Sequence, residues 1–108
     1  MLRQMWQQTL CEAIANKRLV ELRYQRDLLN RTFAPHAVYR TTKDNLCVAG
    51  TQLVNANKPL DGRNEPRNFE LDEIRDLRVT DDCFTPDSRF DRFDPKYKNG
   101  IICCIEIH

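Results

Sequence analysis

The stretch LCEAIANKRLVELRYQ (10–25) decides the fold, because the spacing of its apolar residues changes within it. In its first part apolar residues recur every three or four positions, as at Leu10 and Ile14, which predicts an amphipathic helix over residues 2–16. From Leu19 apolar and polar residues alternate, which predicts a half-buried strand. The chain is therefore expected to begin with a helix and to continue as a sheet.

Five further strand-like runs follow the first strand, at residues 31–41, 46–54, 69–71, 74–79 and 101–108. Pro35 cannot donate a ladder hydrogen bond, so it predicts an edge or a bulge where the second strand bends. Gly50 predicts a sharp bend or the close approach of another backbone. In the last run, Ile101, Cys103, Ile105 and Ile107 are expected to face one way.

A helix followed by about five short, bent strands is the order of a small Sm-like or SH3-like barrel, here with an extra C-terminal strand. An open α+β sheet fits the same pattern, because periodicity does not establish closure. We expect a single, mainly β domain over residues 1–108, divided into a helix (1–17), a barrel (18–84) and a C-terminal extension (85–108). Trp6, Leu10 and Ile14 should pack the helix on a core that consists of Val20, Leu22, Phe33, Val48, Phe69, Leu71, Ile74, Leu77 and Val79.

Composition points to a cytoplasmic protein. The 108 residues contain no apolar run of the ~18 residues that a membrane span needs, and no secretory signal pattern. Five cysteines, an odd and irregularly placed set, suit a reducing compartment better than a disulfide framework. Cys11, Cys47 and Cys103 are therefore expected to be small buried apolar residues.

The formal net charge of +1 conceals an asymmetry between the two parts of the chain. Residues 1–43 carry eight Lys/Arg against three Asp/Glu, whereas residues 44–108 carry nine against thirteen. A basic face for nucleic acid exists only if the first elements cluster in space, and mixed, solvated charges are the alternative.

Several segments resemble the WYL domain of bacterial regulators in order and spacing. After a helix containing Glu12–Ile14 and a strand containing Val20–Tyr24 come RTFAPHAVY (31–39), LCVAG (46–50), RNFELDEI (67–74) and VTDDCF (79–84). The resemblance covers about residues 10–84. The tripeptide that names the family is replaced by Asn45, Leu46 and Cys47, and Glu73 stands where the family has an arginine. Only about 17 residues precede the first strand, so the winged helix of typical members is not expected.

The resemblance implies a ligand-sensing module of Sm-like fold that regulates transcription or phage defence, including CRISPR systems, and that binds nucleic acids or nucleotides. It implies no catalytic activity and no cofactor. The residues it assigns to a ligand pocket are Tyr24, Arg31, His36, Tyr39 and Arg67. Arginine forks suit phosphate, tyrosine rings suit bases, and histidine adds a donor. The expected partner is single-stranded nucleic acid or a nucleotide.

Three of these residues, Tyr24, Arg31 and Arg67, have a purely structural alternative. Tyr24 continues the apolar face of the first strand and fits the core equally well. Arg31 and Arg67 share strand parity with phenylalanines and should point inward. An inward arginine either pairs with a carboxylate, such as Glu70 or Asp72, or awaits an anionic ligand. We expect Arg31 to approach Arg67 across such a pocket.

Metal and enzyme chemistry find little support. The chain has no CxxC or HxxxH pair, and only two histidines, so no metal site is expected. A thiol near His36 lacks the spacing of any known nucleophile motif, so we expect no enzyme.

The second function class is a protein–protein module. In that interpretation, the apolar strand IICCIEIH (101–108) joins a second copy as a homodimer or adds to a larger partner.

Overall fold

A computed structural model describes residues 2–58 and 64–106. Within these residues lie one helix, six strands and two short 3-10 turns, Leu71–Glu73 and Pro95–Tyr97. The helix and strands are α1 Leu2–Ala15, β1 Arg18–Tyr24, β2 Arg31–Arg40, β3 Leu46–Asn55, β4 Glu65–Glu70, β5 Ile74–Cys83 and β6 Ile101–Cys104. Residues 59–63, which fall between the predicted strands 46–54 and 69–71, and the last two residues of the predicted final strand (107–108) lie outside the described residues.

The predicted mainly β architecture, with an N-terminal helix and an added C-terminal strand, is confirmed. The strands form one antiparallel sheet in the order β4-β3-β2-β1-β5, and β6 pairs with β2 beside this path. In the described chain the sheet stays open between β4 and β5, so it is barrel-like without a closed ring of hydrogen bonds. None of the helices described there combines the length and apolarity that crossing a membrane requires.

Strand β2 changes partner along its length, and Pro35 marks the change. Residues 31–33 pair with β1, whereas residues 37–39 pair with β6. The pairing of β2 with β3 shifts register between Pro35 and Ala37, which leaves His36 unmatched. Because proline lacks an N–H, a bulge is the position in a central strand that tolerates it. The predicted bulge is confirmed, and it sets the orientation of His36.

The close approach predicted at Gly50 is also confirmed. A Cβ at this position would overlap the backbone carbonyl oxygen of Ala34 and stand 2.7 Å from Cζ of Phe33. Glycine therefore allows β2 and β3 to come together next to the bulge.

The main core lies between α1 and one face of the sheet. All the predicted strand residues of this core are buried except Val79, which is half-buried and packs against it. Leu10 and Ile14 are buried, and the half-buried Trp6 donates its indole N–H to the carbonyl oxygen of Ile74 at 3.1 Å. The helix is thus fixed on the sheet by apolar contacts and by one directional bond.

A second apolar cluster covers the opposite face of β2, β3 and β6. Its buried members are Ala37, Tyr39, Cys47, Ala49 and Tyr97. The last of these belongs to the tail (residues 84–100), which crosses this face on its way to β6. Ile101 joins this cluster instead of sharing a face with Cys103, because the pairing of β6 with β2 shifts register between Val38 and Tyr39.

The cysteines differ from the sequence prediction. Cys47 is buried as expected, but Cys11 and Cys103 form a disulfide between α1 and β6, with their Cα atoms 5.9 Å apart. The two residues are 92 positions apart, so only the placement of β6 beside the helix brings them together. Cys83 is an exposed free thiol and Cys104 a half-buried one.

Candidate ligand-binding cleft

A small cleft of about 90 Å³ opens between the tail and the edge of the sheet formed by β3 and β4. The sheet contributes the bulge of β2, the middle of β3 and the start of β4, and the tail supplies the opposite wall. The lining residues are His36, Ala49, Gly50, Thr51, Pro66, Arg67, Asp87, Arg89, Phe90, Asp91, Asp94, Lys96 and Tyr97. Two of the five predicted site residues, His36 and Arg67, therefore line one cleft.

Asp87 fastens the tail across the sheet. Its Oδ2 accepts a hydrogen bond from Oγ1 of Thr51 at 2.7 Å and from Nη2 of Arg89 at 2.7 Å, and Oδ1 accepts from Nε of Arg89 at 3.0 Å. The guanidinium of Arg89 is the main cause that holds the pKa of Asp87 well below its usual range. Arg89 in turn donates to the backbone oxygen of Asn64 at 2.8 Å. The tail is thereby tied both to β3 and to the residue that precedes β4.

His36 uses both ring nitrogens within the protein. Nδ1 lies 2.8 Å from the carbonyl oxygen of Ala34, and the backbone N–H of Asp87 donates to Nε2 at 2.9 Å. Since Nε2 accepts, the proton resides on Nδ1 and the ring is neutral. Burial lowers the pKa of His36, in keeping with that state. The imidazole thus positions Asp87 and offers no unoccupied nitrogen to a ligand.

On the other side of Asp87 lies a larger cavity of about 290 Å³, here called the apolar cavity. It shares His36, Thr51 and Asp87 with the cleft. Half of its lining residues are apolar or thiol side chains, namely Leu19, Ala34, Leu53, Cys83 and Phe84. The cleft and the apolar cavity meet at these three residues and are together called the groove, which has a charged part and an apolar part.

Arg67 is the predicted residue best placed for a ligand. Its side chain is 43% exposed, and Nη2 lies 2.8 Å from a carboxylate oxygen of Glu65, itself 47% exposed. An ion pair between two groups this exposed is worth only about 0–1 kcal/mol. Arg67 can therefore exchange Glu65 for another anion at small cost.

The cleft carries charges of both signs. Arg67, Arg89 and Lys96 face three aspartates, of which Asp91 and Asp94 accept backbone N–H bonds from Phe93 and Lys96 at 2.9 Å each. These two carboxylates cap turns of the tail and shape the wall of the cleft. Such a mixed lining suits a ligand that presents both phosphate oxygens and hydrogen-bond donors.

Tyr39 lies beneath the cleft and does not line it. Its hydroxyl donates to Oδ1 of Asn68 at 2.9 Å, and its ring meets that of Tyr97 edge-on at 4.8 Å. Burial raises the pKa of Tyr39 to about 12. The side chain supports Tyr97 and the residue beside Arg67, so it acts on the cleft through the packing of its wall.

Tyr24 and Arg31 lie elsewhere in the fold. Arg31 donates to both carboxylate oxygens of Asp27, at 2.7 and 3.0 Å, and to Oε1 of Gln52 at 3.1 Å. The hydroxyl of Tyr24 accepts from the backbone N–H of Glu70 at 3.1 Å. Both side chains pack on Phe69, which Tyr24 contacts at 4.8 Å between ring centroids and Arg31 at 5.5 Å.

The expected approach of Arg31 to Arg67 is wrong. Arg31 lies opposite Asn55 and Arg67 opposite Gly50, five positions apart along β3, which corresponds to roughly 17 Å of strand. Glu73, the acidic departure from the family pattern, sits in a 3-10 turn and is absent from the described lining of the cleft. It is therefore not one of the charges that line the cleft.

Sequence reasoning missed the contribution of the tail. The sequence predicts only a C-terminal extension around Asp87, Arg89 and Lys96, and an apolar strand around Thr51. The only signal was the mixture of aromatic and charged residues in the tail, whose Phe90 and Tyr97 cover the second cluster. Because Asp87 lies 36 positions from Thr51 and 51 positions from His36, periodicity does not reveal these contacts.

The described residues add no support for a metal site or for Cys47 as a nucleophile. The described residues contain no group of three or more His, Cys, Asp or Glu that would hold a metal ion. Burial raises the pKa of the Cys47 thiol to about 11, so it stays protonated at neutral pH.

Comparison with known proteins gives one family. The model of the WYL domain matches residues 6–79, more than two thirds of the chain. No curated protein and no solved structure matches. The matched segment ends within β5, so the sheet wall of the cleft lies inside it and the tail wall lies outside.

Proposed function

Because the chain belongs to the WYL domain family, whose members are generally ligand-sensing regulatory modules in bacteria, we propose that it is a cytoplasmic accessory regulator of transcription or phage defence. It binds a nucleotide, free or within single-stranded nucleic acid, in the groove beneath the tail. Regulation follows from ligand occupancy, and no catalytic step is part of the proposal.

The observation that carries this proposal is the division of the groove by Asp87. A cleft of about 90 Å³ accommodates a phosphate group but not a whole nucleotide, since small-molecule sites typically span ~300–1,000 Å³. The adjoining apolar cavity of about 290 Å³ supplies the missing space and an apolar lining for a base. In this arrangement Arg67 and Lys96 contact phosphate, and the base packs toward Phe84.

The test is a binding titration with ATP and with a 12-nucleotide single-stranded DNA, each at two salt concentrations. Arg67→Ala should weaken binding roughly ten- to a hundredfold, the loss of about 1.5–3 kcal/mol that a charge-assisted contact contributes. Arg92→Ala is the matched control, because this exposed arginine stacks on Phe93 and lies outside the described lining of the cleft. Binding should weaken steeply with added salt in the wild type and in Arg92→Ala.

Equal losses for the two variants would indicate diffuse electrostatic attraction in place of a site. Unchanged binding in Arg67→Ala would remove Arg67 from the site. Absence of any binding by the wild-type chain at low salt would refute the proposal.

The second candidate is a protein–protein module that forms a homodimer or joins a larger partner through β6. The observation in its favour is Ile102 on β6, whose relative exposure is 40%. Against it, β6 already pairs with β2 of its own chain and is bonded to α1 through Cys103. Truncation after Gly100 should lower the mass measured by light scattering if β6 mediates assembly. A full-length chain that is monomeric at high concentration would refute this candidate.

A further inference from the structure

The Cys11–Cys103 disulfide joins the first helix of the chain to its last strand. Both residues are half-buried, so the bond is neither enclosed in the core nor fully exposed. Cys11 also lines a shallow groove on the outer side of α1, together with Gln4, Gln7, Gln8 and Glu12. Cys11 therefore borders a groove that is open to solvent.

We propose that this disulfide is a reversible redox site for a dithiol reductant and that it latches the tail over the cleft. The redox step and the loosening of the tail are inferred only from the disulfide and from the position of β6 directly after the tail. The consequence for ligand affinity rests on the function proposed above.

The exchange reaction balances with a dithiol as the electron donor. One thiolate of the reductant attacks Sγ of Cys11 from the groove, the Sγ–Sγ bond breaks, and Cys103 leaves as a thiolate that takes a proton from water. The second thiolate of the reductant then attacks the reductant sulfur of the mixed disulfide and expels Cys11. Two electrons and two protons pass to the protein, and the reductant ends as a cyclic disulfide.

The remaining cysteines are poorly placed to intercept this exchange. Cys104 follows Cys103 directly, and neighbouring residues of a strand point to opposite faces. It accordingly packs against the second cluster, whereas Cys103 packs against the main core. Cys47 is buried, and Cys83 ends β5 at an exposed position. The site therefore has two defined states, the Cys11–Cys103 disulfide and the dithiol.

The link between this bond and the cleft is the short strand β6. It has four residues, and its ladder with β2 pairs with Ala37, Val38 and Tyr39. One backbone hydrogen bond extends this pairing at each end, from Ile105 N–H to the carbonyl of His36 and from Arg40 N–H to that of Gly100. Immediately before β6, the tail provides Lys96 and Tyr97 to the wall of the cleft. Without the covalent bond, β6 and this wall are held by that ladder and by the tail's own noncovalent contacts.

Removing the bond also frees a large closed loop. The disulfide spans 92 positions, and a crosslink restricts the unfolded and partly opened chain more strongly as the loop lengthens. Disulfides in a reducing cytoplasm are usually transient and regulatory. If the protein is cytoplasmic, as proposed above, this bond is therefore expected to form and break reversibly.

The experiment compares the full chain in its oxidised form and after reduction with dithiothreitol, using hydrogen exchange read by mass spectrometry. Reduction should accelerate exchange of the amides in residues 85–104 by about tenfold or more, and by a larger factor than those of β1 and β3. Cys11→Ser should show the same acceleration without reductant. Cys83→Ser is the control for the exchange measurement, because it removes a free and exposed thiol and should respond to dithiothreitol as the wild type does. It takes no part in the ATP measurement, since Cys83 lines the apolar cavity.

ATP binding, measured on the wild-type samples and on Cys11→Ser, reports on the cleft. The reduced protein and Cys11→Ser should bind ATP several-fold more weakly than the oxidised wild type, because Arg89 and Lys96 are carried by the loosened tail. Loss of ATP binding in every sample, with the exchange pattern as expected, would refute the proposed function and leave the latch standing.

Two results would overturn the latch itself. One is unchanged exchange in residues 85–104 after reduction and in Cys11→Ser. The other is quantitative labelling of Cys11 and Cys103 by a thiol reagent in air-oxidised protein, which would show that the bond does not form. Equal ATP affinity in both redox states, despite altered exchange, would overturn the coupling to the cleft.

Discussion

Arg31 and Arg67 flank the same strand, β3, yet they are built into the protein in opposite ways. The side chain of Arg31 is 16% exposed, lies over the ring of Phe69 and donates three hydrogen bonds. That of Arg67 is 43% exposed and pairs with a carboxylate that is itself half in solvent. One arginine stabilises the fold, and the other is available to a ligand.

The difference shows what offsets the free-energy cost of burying a charged arginine side chain. Such a residue needs a partner, and the partner of Arg31 is Asp27, four positions earlier in the turn that leads into β2. Asp27 also accepts the backbone N–H of Tyr24 at 2.9 Å, so one carboxylate fixes both ends of that turn. The two arginines have the same residue type and the same strand parity. What distinguishes Arg31 is the neighbouring turn, which supplies Asp27 as its partner.

The largest expected effect is on stability. Arg31→Ala should lower the free energy of unfolding by about 3 kcal/mol, because it leaves the carboxylate of Asp27 half-buried without its cation. Arg67→Ala should change it by less than about 0.5 kcal/mol, since its ion pair is exposed. Urea denaturation followed by circular dichroism measures both. Equal effects for the two variants would abolish the distinction between a structural and a functional arginine.

The tyrosines extend the comparison with a smaller effect. Tyr39→Phe should cost about 1 kcal/mol, because it removes the partly buried hydrogen bond from this hydroxyl to Oδ1 of Asn68. Tyr24→Phe should cost less, since its partner, the backbone N–H of Glu70, lies at the surface and can bond to water. The same denaturation experiment applies, and a larger loss for Tyr24→Phe would mean that the region around Phe69 is the more tightly packed one.

The features that the sequence predicts and those that it misses differ in how far apart the interacting residues lie in the chain. The change of period near Leu19, the bulge at Pro35 and the close approach at Gly50 are local signals, and the structure confirms each of them. The family resemblance predicts Arg67 as a site residue because it lies in a short motif, and the structure places it in the lining of the cleft. Contacts between distant segments left no local signal.

The missed features all depend on the path of the tail. Sequence reasoning did not pair Cys11 with Cys103, and it did not bring Asp87 to Thr51 and His36. Each of these contacts joins a residue of the tail or β6 to one that precedes it by dozens of positions. The tail lies outside the family match as well, so neither periodicity nor resemblance constrained it.

The smallest expected effect is a pH dependence that arises where the tail meets β2. Burial holds the pKa of His36 below its ordinary value of 6.5. Below pH 6.5 the unfolded chain therefore binds a proton that the folded chain does not, and the free energy of unfolding should fall as the pH drops. Asp27 and Asp87, whose pKa values are lowered, lose their contributions only in more acidic solution.

His36→Gln isolates this effect. Its amide oxygen can accept the backbone N–H of Asp87 as Nε2 does, but it does not titrate. Thermal unfolding between pH 5.0 and 7.5 should show stability rising with pH in the wild type and a flatter profile in the variant. His108, the second of two histidines in the chain, is present in both proteins and contributes equally. Parallel profiles would mean that protonation of His36 leaves the contact with Asp87 intact, and the tail would then be held by Thr51 and Arg89 without help from the imidazole.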